Sequence, residues 1–151
     1  MNNTCFLKLQ RLHPDAVIPA YANPGDFGMD LSAVEPVIIP SGQVQLIKTG
    51  WAVEWSNPSY CLQICSRSGL ALKSGVFVLN SPGVIDFNYR GEIGVILANF
   101  SGGEYVVKAG DRVAQLLVVP VLRVSPSHVL IVDKLTEREG RGIGGFGSSG
   151  F

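Results

Sequence analysis

Short runs of β-branched and aromatic residues, separated by turn-forming residues, dominate this sequence. Glycine and proline, with 18 and 9 residues, supply most of the turn signals between the runs. The runs typical of strands cover residues 37–39, 44–47, 51–55, 60–65, 76–79, 93–100, 105–108 and 113–122. No stretch keeps a helical period over three turns, and only residues 68–74 are compatible with a short helix. The pattern predicts an all-β fold, a jelly-roll-like barrel or sandwich.

Composition limits the kinds of partner that this chain can bind. Its 151 residues suffice for one domain with a core, and its mean hydropathy of +0.28 is compatible with some apolar surface buried between subunits. Net charge is zero, with 12 basic and 12 acidic residues and no basic run, so a nucleic-acid strand is not expected. A small anion needs only two or three local cations.

Cysteine and histidine usage argues against a secreted or zinc-dependent protein. The three cysteines, Cys5, Cys61 and Cys65, form no regular disulfide framework and are predicted to act as small hydrophobic residues. The two histidines lie far from any motif, so no zinc site is predicted. We find no signal-peptide core at the N-terminus and no apolar stretch long enough to cross a bilayer. A soluble, intracellular protein is expected.

Polar clusters interrupt the β pattern, and each admits a binding role or a structural one. In SRSGLA, residues 66–71, Arg67 and Gly69 stand where a short helix would begin. They form either a phosphate site or a surface arginine beside a capping serine. In PGDFGMDLSA, residues 24–33, Asp30 faces a cation or caps a turn.

Two further clusters contain a carboxylate and an amide within apolar surroundings. NSPGVIDFNYRGEIG, residues 80–94, reads as a strand end, a tight turn and a returning strand. Asp86 lies there between two apolar residues, where it orients a water molecule or makes turn bonds, and Tyr89 follows. In GDRVAQL, residues 110–116, Gln115 bonds a ligand or a neighbouring backbone group.

The sequence RGIGGFGSSG, residues 141–150, matches the GxGxxG pattern of dinucleotide-binding proteins. That fingerprint works only between a strand and a helix, and too few residues follow here to form a helix. Arg141 offers a planar fork of donors to phosphate, and Phe146 offers a flat apolar face. The segment is therefore either a mobile arm that closes over a ligand or a disordered tail. We expect a β domain over residues 1–136 and a flexible arm over residues 137–151.

Taken together, in this order and spacing, the five clusters resemble the five motifs of the trimeric dUTPases, the deoxyuridine triphosphate nucleotidohydrolases. GVIDFNYRGEI, GDRVAQL and RGIGGFGSSG are its most specific parts, and the resemblance covers residues 24–150. It implies a jelly-roll-like fold and a homotrimer with active sites at subunit interfaces. It also implies Mg²⁺-dependent hydrolysis of dUTP to dUMP and pyrophosphate. Such an enzyme limits uracil incorporation into DNA and supplies dUMP for thymidylate synthesis.

The resemblance also implies roles for individual residues. Asp86 would be the general base that activates water for attack on the α-phosphorus, and Tyr89 would pack under the deoxyribose. Mg²⁺ would be bound mainly through the substrate triphosphate, with Asp30 and Asp111 as supporting residues. The remaining implied substrate contacts are Asn80, Gly83, Val84, Ile85 and Gly94 at uracil, Arg67, Ser68, Gly69 and Gln115 at the phosphates, and Arg141, Phe146, Gly147, Ser148 and Ser149 in the arm, where Phe146 stacks on uracil.

Some residues depart from the pattern of that family, and other functions remain alternatives. The departures are Phe27, Ser66, Asn88 and Ile143. One alternative is a dUTP-binding regulatory module, although the presence of Asp86 favours turnover. A second is a dCTP deaminase-like relative of the same fold, for which no additional acid or base is evident. The third is a structural β-trimer with a disordered tail.

Overall fold

The structure, a computed structural model, describes residues 5–136. The arm expected over residues 137–151 lies outside this part of the chain. The described elements, in chain order, are β1 (Leu7–Arg11), β2 (Gly28–Ser32), β3 (Val37–Ile39), β4 (Val44–Trp55), β5 (Tyr60–Cys65), α1 (Ser68–Ser74), β6 (Val76–Val78), β7 (Gly83–Ile85), β8 (Glu92–Asn99), β9 (Tyr105–Val107), β10 (Arg112–Pro120) and a 3-10 turn (Pro126–His128).

Two four-stranded sheets enclose the core, and their strands pair antiparallel. Their orders are β1-β4-β8-β6 and β2-β10-β5-β7, while β3 and β9 form a separate pair. Buried residues alternate with more exposed ones along β5 and β8, as expected where one face of each sheet is covered. Leu62 of β5 and Leu97 of β8 are fully buried members of this core. The predicted jelly-roll-like all-β fold is confirmed.

Strand β4 differs from its prediction because it is continuous. The sequence indicated two strands, over residues 44–47 and 51–55, whereas β4 runs through Gly50 without ending. Gly50 has a φ of 75°, and the register between β4 and β8 shifts between Lys48 and Ala52. A left-handed glycine therefore produces a bulge in one long strand rather than a turn between two strands.

Helix α1 has the predicted bounds, whereas β1 and β2 were not predicted as strands. The helix ends at Gly75, whose left-handed φ of 61° forms the C-cap. Strand β1 has a largely exposed, polar sequence, and β2 lies within a cluster dominated by turn signals. Both strands form because they pair with β4 and β10. This pairing leaves no sign in the local sequence pattern. Neither helix within residues 5–136 is long and apolar enough to cross a membrane.

Candidate functional site

A cleft of about 180 Å³ opens beside the edge strand β7 and the turn that joins it to β8. We call it the hairpin cleft. Its lining brings together the residues that the sequence assigned to uracil, to deoxyribose and to catalysis. These residues are Asn80, Gly83, Val84, Ile85, Asp86, Tyr89 and Gly94.

Tyr89 is held at the cleft by contacts within its own turn. Its amide donates to the carbonyl of Asp86 at 2.9 Å, and its hydroxyl donates to the carbonyl of Glu92 at 2.8 Å. Gly91 permits this arrangement, because a Cβ atom at that position would lie 2.5 Å from the Tyr89 hydroxyl oxygen. Tyr89 as a whole is 45% exposed, so it remains accessible to a ligand.

Asp86 lies at the mouth of the hairpin cleft, immediately after the last residue of β7. Its side chain is exposed, and its carboxylate accepts no hydrogen bond from any residue in the described range 5–136. It also borders a neighbouring cleft of about 600 Å³ that includes Cys61 and Arg123. Cys61 and Cys65 are half-buried, so their expected burial as small hydrophobic residues is only partial. The carboxylate is free to bind water.

A second cleft, of about 570 Å³, lies at the other edge of the same sheet. We call it the arginine cleft, because Arg67 and Arg112 both line it. Asp30 stands between them, with its carboxylate 3.2 Å from Nε of Arg67 and 3.1 Å from a terminal nitrogen of Arg112. Of the two roles open to Asp30 in the sequence, the structure favours the contact with cations.

The arginine cleft offers guanidinium donors to a ligand, although its formal charges balance. The Asp30 side chain is only 13% exposed and contacts both guanidinium groups, and Asp26 also lines the cleft, so two arginines face two aspartates. Arg67 also donates to the carbonyl of Arg112 at 2.9 Å, so its planar group is fixed on two sides. Its remaining terminal nitrogen has no partner among residues 5–136, which leaves a donor for phosphate.

The start of α1 does not contain a serine cap beside a surface arginine, the structural alternative for SRSGLA. Arg67 itself occupies the N-cap position and makes no capping bond, while the Ser66 hydroxyl accepts a hydrogen bond from the amide of Val78 at 3.0 Å. Ser68 and Gly69 are exposed in the first turn of the helix. Arg67 lines the arginine cleft, whereas Ser68 and Gly69 do not.

Three other residues that the sequence analysis singled out lie in or near the arginine cleft, and each has different surroundings. Gln115 is half-buried against Gly28, where a Cβ atom would lie 3.0 Å from its side-chain oxygen. Phe27 is 88% exposed at the rim. The carboxylate of Asp111 accepts a hydrogen bond from the Lys108 amide at 2.8 Å, within its own turn. Residues 5–136 contain no group of three or more His, Cys, Asp or Glu side chains able to hold a metal.

Sequence reasoning missed Arg112, although it lies within the GDRVAQL cluster. Its only local signal is a position at the start of a strand after a turn, which is common for surface arginines. The pairing of β10 with β2 brings it to Asp30, and this register is not visible in the sequence. The arm residues Arg141, Phe146, Gly147, Ser148 and Ser149 lie outside the described residues.

The two clefts share no lining residue and occupy opposite edges of the sheet β2-β10-β5-β7. Ile85 pairs with Leu62 near the start of β5, whereas Arg67 follows the end of that strand. The hairpin-cleft residue Ile64 precedes Arg67 by three residues, about 10 Å of extended chain, and the Ser66 amide donates to the Ser81 hydroxyl at 3.2 Å. Arg67 nevertheless turns toward β2 and β10, away from β7.

Comparison with known proteins finds relatives of one family, the dUTPases. The family model described as dUTPase matches residues 15–150. The deoxyuridine 5'-triphosphate nucleotidohydrolase of Picosynechococcus sp. is 54% identical over 144 residues, which cover 95% of this chain and 98% of that protein. The protein of the same name from Clostridioides difficile is 45% identical over 145 residues, which cover 96% and 98% of the two chains.

A solved structure gives the corresponding comparison in three dimensions. The dUTPase of Staphylococcus bacteriophage 80alpha, solved with dUPNHPP, superposes with a TM-score of 0.86 at 26% identity. The match covers 99% of this chain and 100% of the phage chain.

Proposed function

This chain belongs to the dUTPase family, and we propose that it hydrolyses dUTP to dUMP and pyrophosphate. The observation that supports this most directly is the Asp86 carboxylate, which has no protein partner within residues 5–136 and borders the hairpin cleft. A carboxylate in this position is available to accept a proton from water. In the cell, this activity would limit uracil incorporation into DNA and supply dUMP for thymidylate synthesis.

In this proposal, the hairpin cleft binds the deoxyuridine part of the substrate. Strand β7 pairs with β5 and is an edge strand, so backbone groups on its other side are available to uracil. Asn80, the backbone of Gly83–Ile85 and Gly94 would bind the base closely, leaving no space for the methyl group of thymine. Tyr89 would pack under the deoxyribose and exclude a 2'-hydroxyl.

The arginine cleft is proposed to bind the phosphates. Arg67, Ser68 and Gly69 offer a guanidinium and exposed groups at the start of α1, and Gln115 adds a polar side chain. Asp30 fits a supporting role, because its carboxylate is engaged by two arginines. Asp111, bonded within its own turn, would support the chain that leads to Gln115.

The arm is proposed to close over the bound nucleotide. Arg141, Ser148 and Ser149 would reach the γ-phosphate, Gly147 would allow close backbone approach, and Phe146 would stack on uracil. Closure would exclude water other than the attacking molecule, and opening would release the products. The glycines of this segment suit a lid that moves.

Magnesium is proposed to bind mainly through the triphosphate. The residues present fit this mode, because Mg²⁺ bound to phosphates needs few protein ligands and the described part of the chain offers isolated carboxylates rather than a cluster. When bound, the ion would neutralise charge that develops on the leaving pyrophosphate. Asp30 and Asp111 would act as supporting residues for the ion rather than as its main ligands.

The chemical step follows from the position of Asp86. Its carboxylate takes a proton from a water molecule as the water oxygen forms a bond to the α-phosphorus. The bond between the α-phosphorus and the bridging oxygen breaks, and pyrophosphate leaves with that electron pair. Arg67 stabilises the negative charge on the departing phosphates.

We also propose that the functional unit is a homotrimer with shared active sites. The orientation of the two clefts supports this, because they share no lining residue and Arg67 turns toward β2 and β10, away from β7. A nucleotide in the hairpin cleft of one subunit would therefore reach the arginine cleft of another. Residues 121–136 add support, because Leu122, Leu130 and Ile131 are at least 80% exposed in the single chain.

Pyrophosphate release with Mg²⁺ from dUTP, dTTP, dCTP and UTP tests the proposed reaction. Release from dUTP alone is expected. Asp86→Asn should keep dUTP binding and lose a factor on the order of 10²–10⁴ in kcat, the usual contribution of a general base. Near-normal turnover by this variant would exclude Asp86 as the base. Binding of dUTP without any release by the wild-type protein would favour a regulatory module, and ammonia release from dCTP would favour a deaminase.

A further inference from the structure

The segment that contains Asp86 is not held by strand pairing. The ladder between β5 and β7 ends at Ile85, and β8 begins at Glu92. Residues 86–91 therefore depend on side-chain contacts and turn bonds for their position. Because a catalytic carboxylate must be placed closely against its reacting water, these contacts matter to the reaction.

Arg90 fixes this turn from one side. One of its terminal nitrogens donates to the carbonyls of Phe87 and Tyr89, both at 2.7 Å, and so closes the turn. Its Nε lies 3.6 Å from the carboxylate of Glu54 in β4, the strand that pairs with β8 directly after the turn. A single guanidinium thus ties the turn to a long central strand.

Glu54 is maintained in its charged form by its neighbours. The hydrogen bond from Lys8 of β1, at 2.5 Å, and the charges of Lys8 and Arg90 hold the pKa of Glu54 below its usual value. Lys8 and Glu54 are direct cross-strand partners in the pairing of β1 with β4. The carboxylate is therefore ionised at neutral pH and available to Arg90.

Phe87 fixes the turn from the other side. Its ring meets that of Trp55 edge-on, with a centroid distance of 5.4 Å and an interplanar angle of 84°. Trp55 is only 3% exposed, and its indole nitrogen donates to the carbonyl of Tyr60 at 2.8 Å, so it cannot move freely. The residue directly after Asp86 is thereby anchored in the core.

We infer that the end of β4, Glu54 and Trp55, is a platform that sets the position of Asp86 through Arg90 and Phe87. These four are positioning residues, since none of them lines the hairpin cleft. The two contacts act on both sides of the turn and start from adjacent residues of one strand. The inference rests on the proposed function, because it gives Asp86 the role of the base.

The test separates turnover from binding. Arg90→Gln cannot serve both carbonyls and Glu54, so kcat for dUTP should fall by about 10²-fold, as for a misplacement of about 1 Å. Binding of dUPNHPP, the analogue present in the phage structure, should stay within about threefold. The β7 backbone remains held by β5, and Tyr89 keeps its own bonds to the carbonyls of Asp86 and Glu92. Arg90→Lys should recover part of kcat, since the ammonium keeps the attraction to Glu54.

A matched control and a second variant complete the experiment. Lys8→Gln removes the other partner of Glu54 and leaves every contact of Arg90 in place. A glutamate with its ordinary pKa is still ionised at neutral pH, so kcat should stay near that of wild type. Phe87→Leu keeps the apolar volume and loses the edge-on ring contact, so it should lower kcat without weakening dUPNHPP binding. It also carries the test if Arg90→Gln fails to fold.

Two outcomes would overturn the inference while the proposed function stands. One is an unchanged kcat in Arg90→Gln or, if that variant fails to fold, in Phe87→Leu. The other is an equal loss of kcat and of analogue binding, which would indicate a general structural defect. If the wild-type protein releases no pyrophosphate from dUTP, the proposed function itself fails.

Discussion

Mixing two inactive variants tests directly whether one active site is built from two subunits. Asp86→Asn damages the hairpin cleft, and Arg67→Gln damages the arginine cleft at the other edge of the same sheet. Each variant alone should retain under about 1% of wild-type kcat, given the usual contributions of a general base and of a charge that stabilises the transition state. Co-expression of the two, with different affinity tags, would yield mixed trimers.

The proposed shared site sets how much kcat the mixed trimers should recover. In the proposed homotrimer, each site takes Asp86 from one subunit and Arg67, which turns away from β7, from another. With random mixing in equal amounts, a site has an intact hairpin cleft in about half of cases and an intact arginine cleft in about half, provided that the interface is head-to-tail. Across the whole mixture this leaves about one quarter of sites intact. Homotrimers contain no intact site and each mixed trimer contains one in three, so mixed trimers selected through both tags should reach about one third of the wild-type kcat.

The assay is pyrophosphate release from dUTP by trimers purified through both tags. A matched control mixes Asp86→Asn with Tyr89→Ala, two lesions in the same cleft. Every hairpin cleft in that mixture carries one lesion, so no recovery is expected. Mixed trimers of the first pair that stay as inactive as their parents would refute the shared site.

Three further predictions concern single residues. Gly91→Ala should displace Tyr89, whose hydroxyl lies 2.5 Å from the added Cβ, and should lower the kcat/KM ratio of dUTP over UTP about tenfold; an unchanged ratio would contradict the sugar-sensing role. Phe146→Ala should lower kcat/KM for dUTP about 5- to 150-fold, equivalent to about 1–3 kcal/mol of stacking, and steady-state kinetics with no change would remove Phe146 from the site. Gly50→Ala should reduce the free energy of unfolding, measured in urea, by more than about 1–2 kcal/mol. The φ of Gly50 is 75°, and the added Cβ would lie 2.7 Å from that of Ala16. Wild-type stability of this variant would show that the bulge relaxes.

The alternation of apolar residues predicted the central strands well, because one face of each is buried. β5 and α1 have the predicted bounds, and β8 and β10 differ by a residue or two at their ends. β1 and β2 were missed because their residues are polar or turn-forming, and only pairing with β4 and β10 makes them strands. Where a strand depends on its neighbours rather than on its own pattern, the sequence alone is insufficient.

The candidate site was predicted where its residues form one local cluster and was missed where it depends on pairing between distant strands. The residues assigned to uracil, sugar and catalysis lie in one contiguous cluster, and the hairpin brings them to one cleft as expected. Asp30 was left open between two roles because the arginines that surround it come from other strands. Arg112 and Glu54 gave no specific signal, since each looks like an ordinary charged residue at the surface of a strand.

The shape of the turn that contains Asp86 and its placement against the core depend on different residues, and this explains which parts of the site were predicted. A turn of six residues has few ways to close, so residue types such as Gly91 and Tyr89 largely determine its local shape. Its placement relative to the core is a different quantity, set by Glu54 and Trp55 through the register of long strands. A substitution at the platform therefore changes turnover without touching the substrate, and its effect follows from the three-dimensional contacts rather than from the motif.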